Sequence, residues 1–239
     1  MRSPHSETEL LAYITSARAS GNKLRVHGAR HSVAPAIGTG EPNGLELSLS
    51  HLQTVRFESD SLVTVGAGVR MHADPAAEGG EIRFDQSLAG ALERRGRALH
   101  NVGGVMQQTL VGFLTTGSSG GSFRHDLHAQ LRRVRFVDGT GRAHDVGPGD
   151  ALFELLGVSL GLLGVITEVA IETTPTFTVF GRERVVRRAD APFDLTSSGA
   201  NSVCAYLDQH EYARVLWYPQ PGAQRFVLWS AERATDAAY

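Results

Sequence analysis

The feature that most constrains the fold is a strand-like run that ends directly in a turn of small residues, "LRVHGARHSVAPA" at 24–36. Gly28 and Ala29 carry little or no side chain, so consecutive backbone N–H groups there can surround an anion. Ser32 adds a hydroxyl donor and His31 adds an imidazole. This composition is typical of an anion-binding turn at the end of a strand.

A second segment of the same character follows at 103–122, "GGVMQQTLVGFLTTGSSGGS". It surrounds an apolar centre, which argues against a flexible linker. Gly103 and Gly104 at its start and the run 115–119 near its end offer N–H and hydroxyl donors with little steric bulk. Two such loops can bracket one long cofactor that contains phosphate.

Composition restricts the class of partner. The chain has 239 residues, is 41% hydrophobic and carries a net charge of −2, so it can bury a core but offers no broad field for nucleic acid or an anionic membrane. Cys204 is the only cysteine, which excludes an intrachain disulfide and a thiolate metal cluster. Without an 18-residue apolar run or a secretory signal, we predict a soluble cytoplasmic protein that binds a small molecule and no metal.

Hydrophobic periodicity predicts an α+β fold. The spacing of apolar residues predicts a helix over 7–19, several short strands between 23 and 68, a hairpin over 132–146 and a long strand from Val165 to Ile171. Longer strands beyond Pro175 predict a second, β-rich unit.

Several other patterns compete for function. "GSSGG" places Ser119 in a G-x-S-x-G pattern and leaves a serine hydrolase as the alternative, although Thr115 and Thr116 do not look like the strand that such a nucleophile needs. "VTVGAGVRM" has Met71 where a dinucleotide fingerprint has its third glycine, so we interpret this stretch as a turn.

His125 and His128 could share a helix face but lack a third ligand, so we interpret them as a solvated pair. The arginines at 182, 184, 187 and 188 are interpreted as the exposed face of a strand that needs no ligand.

Four motifs in order resemble the FAD-binding domain of the vanillyl-alcohol oxidase and p-cresol methylhydroxylase (PCMH) family, in its aldonolactone and alditol oxidase branch. They are "RVHGARHS", "LVTVGAGVRM", "HNVGGVMQQTLVGFLTTGSSGGS" and "GVSLGLLGVITEVAIET". The resemblance implies a two-subdomain PCMH-type domain at 1–174, followed by the beginning of a substrate cap at 175–239 that is truncated relative to the family.

The resemblance also implies the cofactor and its contacts. His31 occupies the position that often carries FAD covalently through the flavin 8α-methyl carbon, and Ile166 occupies the position that meets the adenine side. Ser119 departs from the histidine that this branch often has there. The implied FAD-binding residues are His27, Gly28, Ala29, Arg30, His31, Ser32, Gly103, Gly104, Thr109, Gly112, Thr116, Gly117, Ser118, Ser119 and Ile166.

The implied reaction is hydride transfer from an alcohol carbon of a sugar alcohol or sugar lactone to the flavin, with oxygen as the acceptor and hydrogen peroxide as a product. The family places its acid and base groups in the later cap, so no catalytic residue is assigned. A flavin-binding module without its own catalytic cap stays open beside the hydrolase alternative.

Overall fold

The computed structural model describes residues 2–77 and 80–234, and the chain divides into two units. The first unit comprises residues up to Leu99, 104–118 and 128–175. The second comprises 100–103, 119–127 and the chain from Thr176 onward. The segment 103–122 is therefore shared between both units.

The first unit combines short helices with strands of two to eight residues. Its helices are α1 (Glu7–Ser20), α2 (Ala34–Ile37), α3 (Leu88–Glu93), α4 (Leu110–Thr115) and α5 (Ala151–Leu156). Its strands are β1 (Leu24–His27), β2 (Leu45–Ser48), β3 (Val55–Phe57), β4 (Leu62–Gly66), β5 (Arg97–Ala98), β6 (Leu131–Val137), β7 (Ala143–Val146), β8 (Val165–Glu172) and β9 (Thr174–Pro175). Single 3₁₀ turns lie at Phe84–Gln86 and His128–Gln130.

Antiparallel pairing builds the main sheet of this unit in the order β3-β4-β8-β6-β7. Strand β8 lies at its centre and is buried on both faces, as its run of Val, Ile and Ala predicts. Strands β1 and β2 form a separate parallel pair. Strand β1 ends at His27, directly before the small-residue turn. Strands β5 and β9 form a third, short antiparallel pair.

Helix α1 begins and ends where its sequence directs. Ser6 accepts a hydrogen bond from the Glu9 N–H at 3.2 Å, and Gly21 adopts a left-handed φ of 67° at the other end. Leu10 and Ile14 are buried at helical spacing. Glu7 ties the helix to β6, because both of its carboxylate oxygens accept from Arg135 at 2.8 Å.

The second unit contains a three-stranded antiparallel sheet. Its strands are β10 (Val179–Arg187), β11 (Tyr212–Tyr218) and β12 (Arg225–Arg233), in the order β10-β12-β11, with helix α6 (Val203–Asp208) and a 3₁₀ turn at Arg188–Asp190. One face of the sheet packs on a core of Phe193, Tyr206, Phe226 and Leu228.

A polar network joins the segment 119–127 to β11 and β12 within the second unit. The Glu211 carboxylate accepts from His125 Nε2 at 2.7 Å and from the Arg233 N–H at 2.8 Å. Tyr212 donates to the His100 carbonyl at 2.8 Å. These contacts hold residues of the glycine-rich segment against the sheet.

The α+β prediction is confirmed, but two of the local interpretations are wrong. His125 and His128 are not a solvated pair: His128 Nε2 lies 2.9 Å from the Leu114 carbonyl in the first unit, and His125 is half-buried beside Glu211 in the second. The four arginines do not share one strand face. Strand pleating places Arg182 and Arg184 on one face of β10 and Arg187 on the other, while Arg188 follows the strand.

None of the described helices combines the length and apolarity needed to cross a lipid bilayer. Across the described ranges, no group of three His, Cys, Asp or Glu side chains could hold a metal ion.

Candidate functional site

A cleft of about 390 Å³ lies in the first unit, beside the turn that follows β1. Its other walls come from helix α4 and from the loop that leads into β8. The sequence-predicted residues that line it are His27, Gly28, Ala29, Arg30, His31, Ser32, Thr109, Gly112, Thr116, Ser118 and Ile166. The structure therefore brings together the first small-residue turn, half of the residues predicted from the second segment and the start of the long strand.

Gly28 is required by the packing of this turn. A Cβ atom at Gly28 would lie 2.3 Å from Thr109 Oγ1, far inside van der Waals contact. The same Thr109 hydroxyl accepts a hydrogen bond from the Gly112 N–H at 3.1 Å and so caps helix α4. The absence of a side chain at Gly28 thus lets the turn lie directly against the helix cap.

The next residues of the turn present polar groups to the cleft. Arg30 has a φ of 60°, in the left-handed region that favours glycine. His31 and Ser32 follow, and both are exposed. Among the described residues, none forms a hydrogen bond with the His31 ring. The His31 side chain therefore does not cap its own turn.

The opposite walls supply hydroxyl groups and apolar surface. Thr116 Oγ1 donates to the Gly112 carbonyl at 2.8 Å and lies 3.1 Å from Ser118 Oγ. Leu160, with a φ of 51°, and Leu162, which is 77% exposed, present apolar side chains at the other side. The cleft can therefore hold both a charged and an apolar portion of one ligand.

A second cavity of about 340 Å³ adjoins the cleft. Both are lined by Arg25, Val26, Ala36, Leu160, Gly161, Leu162, Gly164 and Val165. Among the described residues, none forms a hydrogen bond or ion pair with the Arg25 guanidinium. Together the two cavities form a groove, and Arg25 lines both parts of it.

Asp138 lines the second cavity and stays ionised there. The Thr140 hydroxyl donates to its carboxylate at 2.6 Å, and His144 Nε2 lies 2.7 Å away. These two hydrogen bonds, the Thr140 hydroxyl first, hold the pKa of Asp138 well below its usual range.

Four predicted residues do not line the cleft. Gly103 and Ser119 belong to the second unit. Gly104 and Gly117 belong to the first, and Gly117 instead forms the left-handed end of α4 with a φ of 66°. Conversely, sequence reasoning missed Arg25 and Leu160–Leu162 as lining residues; the glycines around Leu160 and Leu162 were the available signal.

The nucleophile alternative fails on local structure. Ser119 follows helix α4 rather than a strand, and its hydroxyl donates to the adjacent Gly120 carbonyl at 3.0 Å. No helix follows it directly in the described chain. A hydrolase nucleophile requires the opposite arrangement, a strand before the serine and a helix after it.

A known protein family matches the part of the chain that contains the turn lining the cleft. Residues 1–74, which include β1 and the small-residue turn, match the FAD binding domain family. This part of the chain is similar to an FAD-binding domain. The resemblance seen in its motifs is thereby confirmed, and FAD is the cofactor of this domain.

Two relatives of this chain are named as a sugar-lactone oxidase and a sugar-lactone dehydrogenase. It is 28% identical over 237 residues to the D-arabinono-1,4-lactone oxidase of Yarrowia lipolytica, covering 97% of this chain and 40% of that protein. It is 31% identical over 179 residues to the L-gulono-1,4-lactone dehydrogenase of Mycobacterium tuberculosis, covering 74% of this chain and 38% of the relative. The chain thus spans about 40% of the length of the first of these relatives.

Solved structures share the fold of this chain at low sequence identity. A solvent-stable cholesterol oxidase superimposes with a TM-score of 0.75 and 17% identity, over 98% of this chain and 45% of that one. An alkyldihydroxyacetonephosphate synthase gives a TM-score of 0.63 and 20% identity, over 77% and 35% of the two chains. These likenesses confirm the fold class.

Proposed function

We propose that the cleft beside β1 binds FAD and that the chain is part of a flavin-dependent oxidoreductase that acts on an alcohol carbon of a sugar alcohol or sugar lactone. The observation that carries the proposal is the Gly28 turn, which packs without a Cβ against the Thr109 cap and lines a groove of two adjoining cavities. The two cavities, of about 390 and 340 Å³, offer more room than a single phosphate needs.

The groups in the groove fit the parts of FAD. Backbone N–H groups of the turn at 28–32 and the Arg25 guanidinium are donors for a pyrophosphate. The hydroxyls of Thr116 and Ser118 add hydrogen-bonding capacity. Ile166 and the leucines at 160 and 162 offer apolar surface for a ring system.

Bound FAD supplies the hydride acceptor. In this proposal the turn holds the cofactor, and His31, which is exposed within the cleft, would provide a ring nitrogen for a covalent tether to the flavin 8α carbon. The tether would replace one 8α C–H bond and the imidazole N–H bond, and oxygen, the proposed acceptor, would take up the two electrons and two protons released. The two left-handed residues at 30 and 160 fix the backbone on opposite sides of the cleft and limit its freedom.

The substrate class rests on the names of the relatives, an arabinono-lactone oxidase and a gulono-lactone dehydrogenase. Oxygen is the proposed acceptor, and the single cysteine favours a reducing, cytoplasmic compartment. A flavin-binding module without its own catalytic cap is the second candidate, because the family match at residues 1–74 is to a cofactor-binding domain.

Acid precipitation of the purified, FAD-loaded chain tests both the cofactor and the tether. We expect yellow colour to stay in the wild-type pellet and to move to the supernatant in His31→Ala. Arg184→Gln, in the second unit, serves as the control and should retain colour in the pellet. Complete release of flavin by the wild type would exclude the tether, and failure of the folded chain to bind added FAD would exclude the cofactor site.

Arg25→Gln tests the pyrophosphate contact separately. Loss of one charge-assisted contact costs about 1.5–3 kcal/mol, so FAD affinity measured by flavin fluorescence should fall by roughly tenfold or more. This comparison is made on the His31→Ala background, where binding is reversible. An unchanged affinity would remove Arg25 from the site.

A further inference from the structure

A separate cavity of about 740 Å³ lies in the second unit, at the end of the sheet where β10 stops and β12 starts. Arg187 and Arg188 line one side and Arg225 lines the other. The floor includes Phe193 and Phe226, which also belong to the core of this unit. The cavity therefore has three arginine residues along its edge and residues of the core at its base.

The register of the sheet sets two of these cations directly against each other. Arg187 is the cross-strand partner of Arg225 in the antiparallel β10–β12 pair. Like charges at directly opposite positions destabilise a strand pair. By contrast, Arg184 lies opposite Leu228 and Arg182 lies opposite Ser230, so the clash of charge is confined to the cavity end of the strand.

The surroundings compensate this charge only in part. Among the described residues, none of the guanidiniums of Arg187, Arg188 and Arg225 forms an ion pair within 4 Å or a side-chain hydrogen bond. Asp194 is the one acidic residue of the described lining: its Oδ1 atom accepts from the Thr196 N–H and hydroxyl, both at 2.7 Å, and after these hydrogen bonds the charge of Arg188 also helps to lower the Asp194 pKa. The cavity thus keeps an excess of positive charge.

The backbone at the cavity edge is held in an uncommon conformation. Gln224 has a φ of 43°, and its carbonyl accepts from the Arg188 N–H at 2.8 Å. This bond fixes the start of the 3₁₀ turn to the strand connection on the other side. Residues held in the left-handed region by their surroundings concentrate at binding sites.

We propose that this cavity binds the phosphate group of a small metabolite, with Arg187 and Arg225 as the paired ligands and Arg188 as the third cation. Guanidinium groups recognise phosphate through paired N–H donors, and a phosphate with two charges between the opposed arginines neutralises their repulsion. The site belongs to the second unit and is independent of the proposed FAD cleft.

Titration of the FAD-loaded full chain with inorganic phosphate and pyrophosphate at constant ionic strength tests the site. Trp217 and Trp229 are the two tryptophans, and the Trp217 ring stacks 6.0 Å from Phe226 of the cavity floor, so tryptophan fluorescence should report binding. We expect saturable binding, with pyrophosphate bound more tightly than phosphate. The double variant R187Q/R225Q should bind about tenfold more weakly or not at all.

A matched control keeps the same change of net charge on the same sheet. R182Q/R184Q removes two arginines of β10 that do not line the cavity and should leave the affinity unchanged. Thermal unfolding adds a second readout: without phosphate, R187Q/R225Q should melt above the wild type because the repulsion is gone, and phosphate should raise only the wild-type and control midpoints. Equal weakening in both double variants, or no saturable binding by the wild type, would overturn the proposal.

Discussion

A side chain at Gly28 would clash with the residue that caps helix α4. The hypothetical Cβ of Gly28 lies 2.3 Å from Thr109 Oγ1 and 3.1 Å from Thr109 Cγ2, so Gly28→Ala must displace either the turn or the α4 cap. Overpacking of this kind costs about 1–3 kcal/mol. We expect a lower free energy of unfolding, measured by urea denaturation, and weaker FAD binding.

The control for Gly28→Ala is Gly199→Ala, because nothing lies within 4 Å of a Cβ at Gly199. Thr109→Ala alone should cost about 1 kcal/mol through loss of the cap. The double variant Gly28→Ala/Thr109→Ala should be less destabilised than the sum of the single variants, because the clash disappears with the Thr109 side chain. Strict additivity would show that the two residues do not interact.

At the scale of single elements, the joint between α1 and β6 depends on one carboxylate. Arg135 donates to both Glu7 oxygens, and this hydrogen-bonded pair, more than the charge attraction, lowers the Glu7 pKa against the opposing effect of burial. Glu7 and Arg135 are 31% and 35% exposed, so solvent screens the pair. Glu7→Gln should therefore cost only about 0.5–1 kcal/mol at neutral pH.

The sign of the pH dependence follows from the lowered pKa of Glu7. A folded pKa below the unfolded value of about 4.3 gives stability that is present above that pH and is lost as the pH falls through the folded pKa. The difference in free energy of unfolding between wild type and Glu7→Gln should shrink in acid. Glu41→Gln, which breaks a more exposed pair with Lys23, should change stability little at any pH. If the difference in free energy of unfolding between wild type and Glu7→Gln did not change with pH, this account would be contradicted.

Elements with strong local signals could be predicted from the sequence, and pairing between distant elements could not. Helix α1 has its cap, period and terminal glycine in one stretch, and the hairpin β6–β7 has its turn at Asp138–Gly141. The parallel pairing of β1 with β2 has no such local code. The contact of Gly28 with Thr109 also depends on tertiary packing across 81 residues of sequence, so the motifs indicated both loops but not how they touch.

At the scale of the whole molecule, the division into two units explains which site predictions could be made. The 103–122 segment looks uniform in sequence, yet Gly104–Ser118 belongs to the first unit while Gly103 and Ser119 belong to the second. His125 and Ser122 bind Glu211, which lies 86 and 89 residues later in the chain. Contacts over such separations are invisible to local pattern reasoning, so loop composition alone assigned all of these glycines and serines to one site.

Carboxylates with lowered pKa values occur in both units, so the whole molecule should lose stability in acid. Glu7, Glu58 and Asp138 in the first unit and Glu211 in the second are all held below their ordinary pKa values. For Glu211, burial acts against the shift, and the hydrogen bonds from the Arg233 N–H and His125 outweigh it. Each contribution is present above the unfolded pKa of about 4 and is lost below it.

Asp138→Asn tests the carboxylate whose pKa is lowered most among these groups. The Asp138 carboxylate accepts from Thr140 N, Thr140 Oγ1 and Arg142 N at 2.8, 2.6 and 3.1 Å, and lies 2.7 Å from His144 Nε2. We expect Asp138→Asn to lose roughly 1–2 kcal/mol at pH 7, towards the lower end of the range for hydrogen bonds to a charged group, because solvent partly screens this carboxylate. Urea denaturation from pH 7 to about pH 3 should show wild-type stability falling below about pH 4 and the difference between the two proteins narrowing, because the unfolded wild type takes up a proton that the folded carboxylate resists. Parallel curves over this range would mean that the Asp138 charge does not stabilise the fold.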